Sequence, residues 1–120
     1  MRSQVGQVTT VGANGAATGS VAIGTQPSEL VAIQLKYAGG VPGTTKVVVK
    51  NGLQTLLEVI SATEETYYVR VQAHNSKGEH IAAGEGRWNS PLVNGDIKIE
   101  VSLSNAVANA VTAILFFESP

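Results

Sequence analysis

The sequence predicts an all-β fold: an antiparallel β-sandwich or jelly-roll-like single domain of about seven or eight strands with an extended N-terminal segment. Apolar and polar residues alternate along several segments, as they do in half-buried strands. Turn-forming sequences separate these segments about every 8–12 residues. The third observation is that charged residues make up 14% of the 120 residues, against roughly 25% in a typical soluble domain. One domain with one core suits this length.

The first 28 residues carry a single charge, on Arg2, and we divide the chain into an N-terminal segment, 1–28, and a β domain, 29–120. Two short strands are predicted in the segment, at Val5–Val11 and Gly19–Ile23, with an Asn-Gly turn between them. They form either edge strands of the main sheet or an arm lying on a neighbouring subunit. We favour at least partial arm character, because an isolated hairpin of small residues buries little area.

The domain begins with a clear strand, Leu30–Tyr37. Its alternation predicts that Val31, Ile33, Leu35 and Tyr37 share one buried face.

Lys46–Lys50 and Leu53–Ile60 follow as a hairpin. The Asn51-Gly52 pair between them predicts a two-residue type I′ turn, which places Lys50 opposite Leu53 and Val48 opposite Thr55. The adjacent leucines of the second strand leave its buried face open.

Three further strands are predicted, with a glycine-interrupted segment, Ile81–Leu92, between the first and the second. In Thr66–Gln72 the neighbours Tyr67 and Tyr68 point to opposite faces, so one belongs to the core. After a turn at 94–96, the second strand, Ile97–Leu103, alternates, and its apolar residues Ile97, Ile99, Val101 and Leu103 point inward. The third strand, Val111–Phe117, is a continuous apolar run that is either covered on both faces or presents one face to a partner. The alanine-rich stretch 103–113 favours helix, but we interpret it as a loop or a single helical turn.

Residues that could carry catalysis or bind a metal do not converge in the sequence. His74 and His80 flank a turn rather than forming a three- or four-ligand set. The neighbours Glu64 and Glu65 point to opposite faces of a strand. There is no nucleophile elbow or phosphate-binding loop. We therefore expect no enzyme activity, no metal or other cofactor and no small-molecule substrate.

Charge and hydropathy disfavour two further kinds of partner, nucleic acid and membrane. The formal net charge is −1 and the eight basic residues are scattered singly, which disfavours nucleic-acid binding. The longest apolar stretch, 106–117, is too short to span a bilayer as a helix, so we expect no membrane partner. The absence of cysteine fits folding in a reducing cytoplasm.

Five segments between Thr45 and Val101, about half the chain, carry a resemblance. The first is the hairpin TKVVVKNGLQTLLEV from Thr45 to Val59, and the others are Glu65–Arg70, His74–Gly78, Trp88–Leu92 and Asp96–Val101. Together they resemble small structural proteins of tailed bacteriophages, of the capsid decoration, or cement, type. The resemblance implies a viral structural protein that stabilises the capsid by binding the major capsid protein. It further implies a location on the virion exterior after synthesis in the host cytoplasm.

A receptor- or glycan-binding β domain of a phage tail or fibre is the alternative. Such a domain stacks sugars on exposed aromatic side chains. The candidates are Tyr37, Tyr67, Tyr68 and Trp88, although core or interface packing is the expected role of Trp88.

Association with protein surfaces is the common expectation. Charged residues are depleted at the centres of interfaces, as they are in this chain, although a monomer coated with Ser, Thr and Asn is the alternative. Strand edges that need cover predict a homodimer or homotrimer. The candidate interface residues are apolar residues of the N-terminal segment, the tryptophan and the last strand: Val5, Val8, Val11, Val21, Ile23, Trp88, Leu115, Phe116 and Phe117.

Overall fold

The chain folds into an antiparallel sheet, as the sequence predicts. A computed structural model describes residues 2–69, 71–72, 88–89 and 91–118, with the backbone alone at 71–72 and 88–89. Among these residues there are nine strands and no helix. The strands are β1 (Arg2–Val8), β2 (Ala17–Tyr37), β3 (Lys46–Asn51), β4 (Gln54–Ile60), β5 (Glu65–Tyr67), β6 (Val71–Gln72), β7 (Trp88–Asn89), β8 (Leu92–Ser104) and β9 (Val111–Glu118).

Seven strands share one sheet, in the order β1-β9-β2-β8-β3-β4, with β5 also paired to β2. The long strand β2 connects the two halves of this sheet. Its first half pairs with β8 and its second half with β9, and the register with β8 shifts between Thr25 and Ser28. Strands that change layers do so at such bulges and bends.

Contacts of Gly6 show that the two halves face each other. A Cβ at Gly6 would lie 2.7 Å from Ile23 Cδ1 and 3.2 Å from Ile99 Cδ1, so β1 crosses directly over β2 and β8. The sheet therefore folds into two layers, an arrangement consistent with a sandwich. The layer of β1, β9 and the second half of β2 is called the first layer below.

The core lies between the two layers and is aliphatic apart from one phenylalanine. Strands β2, β3, β8 and β9 contribute most of it through alternate residues, as the period of a pleated strand requires. The largest fully buried side chains are Phe117, Leu30, Ile33, Leu35, Ile97, Ile99, Leu115, Val8, Val47, Val49, Val101 and Val111.

The N-terminal segment pairs with its own chain. In β1, Arg2 to Val8 lie opposite Phe117 to Val111 in an unbroken register. Strand β2 runs without interruption through the boundary that we predicted between residues 28 and 29. Thus β1 occupies an edge of its own sheet, and a role of this segment on a neighbouring subunit stays a prediction.

The β3–β4 hairpin forms, but its predicted register is wrong. The two-residue loop is Gly52-Leu53, so Lys50 lies opposite Thr55 and Val48 opposite Glu58. Gly52 has a φ of 62° and supplies the positive φ that the first position of a type II′ turn needs.

A bulge in β4 explains the adjacent leucines. Val49 pairs with Leu57 and Lys50 with Thr55, which leaves Leu56 as an extra residue. Leu56 is buried and Leu57 also packs against the core.

The predicted strand Thr66–Gln72 is divided. β5 ends at Tyr67, and Val71–Gln72 pairs instead with Trp88–Asn89 in a separate two-stranded sheet. Tyr67 packs against the core and Tyr68 is exposed, as expected for neighbours in an extended chain.

In β8, Ile97, Ile99 and Val101 are buried as predicted, but the inward position of Leu103 is wrong. Its φ of 54° reverses the alternation, so Leu103 is 49% exposed and Ser104 is buried in its place. The turn predicted at 94–96 is also wrong, because β8 continues through it with Gly95 at a φ of 79°.

The predicted inward position of Val31 in β2 is wrong. A register shift between Leu30 and Ala32 places Leu30, rather than Val31, on the buried face of this strand. The alanine-rich stretch contains a loop, residues 105–110, between β8 and β9, which confirms the loop interpretation over a helix.

Candidate interaction surface

A row of apolar side chains crosses the outer face of the first layer. Val5 of β1 is 58% exposed and lies opposite Ile114 of β9, which is half-buried. Phe116, the next outward residue of β9, is half-buried and lies opposite Ala32 of β2, which is itself buried with 5% of its surface exposed. The outer apolar row is defined here as Val5, Ile114, Phe116 and Ala32.

Because side chains alternate between the two faces of a strand, some of the predicted interface residues lie in this row and others lie in the core. Val8, Leu115 and Phe117 are buried between the layers. Val5 and Phe116 have the opposite parity and lie on the outer face. The continuous apolar run of the last strand thus supplies both the core and the outer surface.

The remaining predicted residues lie elsewhere. Val11 is exposed beyond the end of β1, where it bridges Thr18. Val21 and Ile23 are partly buried against the core. The side chain of Trp88 lies outside the described residues, as do the predicted loop histidines, His74 and His80.

Side-chain contacts fix the start of β1 on the sheet. The guanidinium of Arg2 donates a hydrogen bond from Nη2 to the hydroxyl of Ser28. Its Cζ also lies 5.4 Å from the ring centroid of Phe117, within the range of a cation–π interaction. The one charge of the N-terminal segment therefore stabilises its own fold.

The segment that follows β1 is also tied to its own chain. The Thr10 hydroxyl donates to the carbonyl of Asn105 at 2.6 Å and accepts from the amide of Val107 at 3.0 Å. The amide side chain of Asn105 in turn accepts from the Gly15 N–H and donates to the Gly40 carbonyl, both at 3.0 Å. These bonds hold three loops together at one end of the fold.

The two ends of the strand order differ in how well they resist pairing with another strand. Strand β4 carries Glu58 and contains a bulge, and both features discourage a further strand. Strand β1 has a regular register, and residues 3–16 contain no charge and no proline. Within the described ranges, no strand pairs with the outer side of β1.

The second layer consists of β3, β4, β8 and the first half of β2, and its outer face carries a group of charged side chains, although Ile60 and Leu92 are also exposed in β4 and β8. Lys46 and Glu58 form an ion pair of 2.8 Å. Glu100 lies 3.8 Å from Lys50 Nζ and 3.6 Å from Lys98 Nζ. The hydrogen bond and charge of Lys46 hold the pKa of Glu58 below its usual value.

These charges lie around a shallow groove of about 560 Å³, which has no aromatic side chain in its lining. Three lysines and two glutamates give the groove a formal charge of only +1, each cation has an anionic neighbour, and the lining provides no stacking surface for a ligand. Exposed apolar side chains occur in both layers, with Ile60 and Leu92 in β4 and β8. The first layer is the better candidate for binding because its outer apolar row adjoins an edge strand that has no charge from Ser3 to Val8.

The tyrosines that we considered for sugar stacking take different positions. Tyr68 is 68% exposed. Tyr67 packs against the core, where burial, followed by the charge of the neighbouring Glu65, raises its pKa. Tyr37 is also partly buried against the core.

Sequence reasoning missed Ile114, Ala32 and the unprotected edge of β1. Alternate residues of a strand point to opposite faces. If Val111–Phe117 had been interpreted as a strand with only one buried face, this alternation would have separated Ile114 and Phe116 from their buried neighbours. Ala32 gave no such signal, because the register shift at its position is set by the tertiary fold.

Comparisons of the chain with known protein families, with curated proteins and with solved structures find no match. Among the described residues, no group of three or more His, Asp or Glu side chains is placed to hold a metal ion. The same part of the chain has no helix long and apolar enough to cross a membrane.

Proposed function

We propose that the protein is a bacteriophage structural protein that decorates the capsid exterior, binds the major capsid protein and stabilises the shell. It associates with copies of itself, as a dimer or trimer, and performs no catalysis. The observation that supports this most strongly is the outer apolar row beside an edge strand that has no charge from Ser3 to Val8. The resemblance of the hairpin and neighbouring segments to capsid decoration proteins supplies the identity of the partner.

The mechanism is the burial of surface across joints between shell subunits. An interface of standard size buries about 1,600 Å² in total. The outer apolar row provides an uncharged centre for such an interface. Many identical contacts on a closed shell then oppose the outward pressure of packaged DNA.

Co-sedimentation tests this function. Shells are assembled from the major capsid protein whose gene lies nearest to the gene of this chain, and they are mixed with the purified chain. We expect saturable binding and a higher temperature of shell disassembly. A folded chain that stays in the supernatant at every concentration would contradict the proposal.

A pair of variants locates the binding face. Ile114→Lys introduces a charge in the middle of the outer apolar row and should weaken shell binding about tenfold or more. Leu53→Lys makes the same kind of change at the fully exposed tip of the β3–β4 hairpin and should leave binding unchanged. Equal binding by both variants would place the contact on another face.

A receptor- or glycan-binding domain of a phage tail or fibre is the second candidate, and the exposed ring of Tyr68 favours it. A glycan array probed with the wild-type chain and with Tyr68→Ala separates the two. Binding that disappears in the variant would favour the glycan function, and an array without signal would remove it.

A further inference from the structure

The outer side of β1 offers a row of backbone donors and acceptors to another β-strand. Alternate residues of an edge strand direct their N–H and C=O groups away from the sheet. Exposed edges of this kind bind further strands, so folded proteins protect them with charges, proline or bulges. Strand β4 has such protection and β1 has none apart from Arg2 at its first residue.

The sequence of β1 is complementary to itself in antiparallel pairing. Val5 is the midpoint of Arg2–Val8, so a twofold axis at Val5 aligns all seven residues of both strands. On the outer face, Val5 then lies opposite Val5 of the second copy, and Ser3 lies opposite Gln7. No like charges come together, because Arg2 lies opposite Val8.

We propose that two copies of this chain pair through antiparallel β1 strands centred on Val5, which joins their sheets into one. The outer apolar row supports this geometry, since it runs from Ala32 through β9 to Val5 and ends at the edge. In the dimer it continues from Val5 into the row of the second copy. The pairing specifies the self-association of the proposed function, and it holds whether or not the chain binds a capsid.

Sedimentation equilibrium of the full chain tests the pairing. The expected mass at high concentration is twice the 12.4 kDa of one chain. Val5→Lys places two ammonium groups opposite each other and should raise the dimer dissociation constant about tenfold or more. Leu53→Lys, which adds the same charge at an exposed leucine far from the edge, should not change it.

A single-cysteine experiment tests the register and does not depend on a destabilising change. The chain has no native cysteine. At the centre of the pairing, opposed Cα atoms lie about 4.5–5.5 Å apart, within the roughly 4.4–6.8 Å that a disulfide spans. Val5→Cys should therefore oxidise to a covalent dimer at least about tenfold faster than Ser3→Cys, Gln7→Cys or Leu53→Cys.

Each other outcome overturns the proposal. A monomer at all concentrations excludes the dimer, and a dimer equally strong in Val5→Lys assigns self-association to another surface. Fastest oxidation of Ser3→Cys or Gln7→Cys excludes the centre at Val5. If the chain is a monomer and Val5→Lys abolishes its binding to the shell, the β1 edge binds the capsid protein rather than a second copy. This result differs from failure of the proposed function, in which the wild-type chain does not bind the shell at all.

Discussion

The hydroxyl of Tyr37 is buried and has no hydrogen-bond partner among the described residues. Burial, followed by the neighbouring Tyr67 and Glu65, raises its pKa from 10.0 to about 12. A buried polar group without a partner loses its hydration without compensation. With no partner among the described residues, this oxygen is expected to oppose folding rather than to stabilise the fold.

Replacement of Tyr37 by Phe removes the oxygen and keeps the ring. We expect the free energy of unfolding to stay the same or rise by up to about 1 kcal/mol. Urea denaturation at pH 7 measures this. A loss of more than about 1 kcal/mol would show that the hydroxyl has a partner in the folded chain.

The same residue predicts a pH dependence. Because the folded pKa lies above the unfolded one, the unfolded chain loses this proton first, and stability falls as the pH rises from 10 to about 12. Below pH 10 the group has no effect. Denaturation midpoints between pH 9 and 12 should therefore fall more steeply in wild type than in Tyr37→Phe, and parallel curves would contradict the shift.

Leu103 adopts the left-handed conformation, which residues other than Gly, Asn and Asp rarely adopt. Since its side chain is half exposed, substitution removes little buried area. We expect Leu103→Asn to be more stable than Leu103→Val by about 1 kcal/mol, because a β-branched residue strains this backbone further. Thermal denaturation compares them, and a more stable valine variant would contradict the assigned backbone.

At the scale of the strands, Gly19 lies where the chain at the end of β1 passes close to β2. A Cβ at this position would collide with the backbone carbonyl of Thr9 and lie 2.9 Å from Val8 Cγ1. A backbone atom cannot rotate away as a side chain can. The absence of a side chain at Gly19 therefore allows the end of β1 to cross β2.

Gly19→Ala should consequently lower the free energy of unfolding by about 1–3 kcal/mol. Gly24→Ala in the same strand is the control, because its Cβ would meet only Asp96 Oδ1, at an ordinary 3.6 Å. The control should lie within about 0.5 kcal/mol of wild type. Equal stabilities of the two variants would show that β1 does not cross β2 as described.

The strands themselves were largely predictable, because alternation reports which face is buried. It placed Ile33, Leu35 and Ile97 correctly. The errors at Val31, Leu103 and the hairpin register all lie at bulges or positive φ angles. Such irregularities arise where strands must bend to close over the core, and local sequence does not encode where that bending falls.

At the scale of the whole molecule, the two layers present different outer faces. The second layer carries paired charges around a shallow groove, and the first carries the outer apolar row beside the β1 edge. The sequence predicted that the last strand and the N-terminal segment would bind partners. Which of their residues remain exposed depended on the fold, since Val8, Leu115 and Phe117 are buried between the layers.

Backbone hydrogen exchange tests the claim that the protein associates through the first layer. Amides of β1, Arg2–Val8, are compared in dilute free protein and in the assembled state, either the dimer or the shell-bound chain. Amides on the free edge should exchange about tenfold or more slowly on assembly, because they gain hydrogen bonds to another strand, while those of β4 keep their rates. Slowing confined to β4, or no change in β1, would contradict the account.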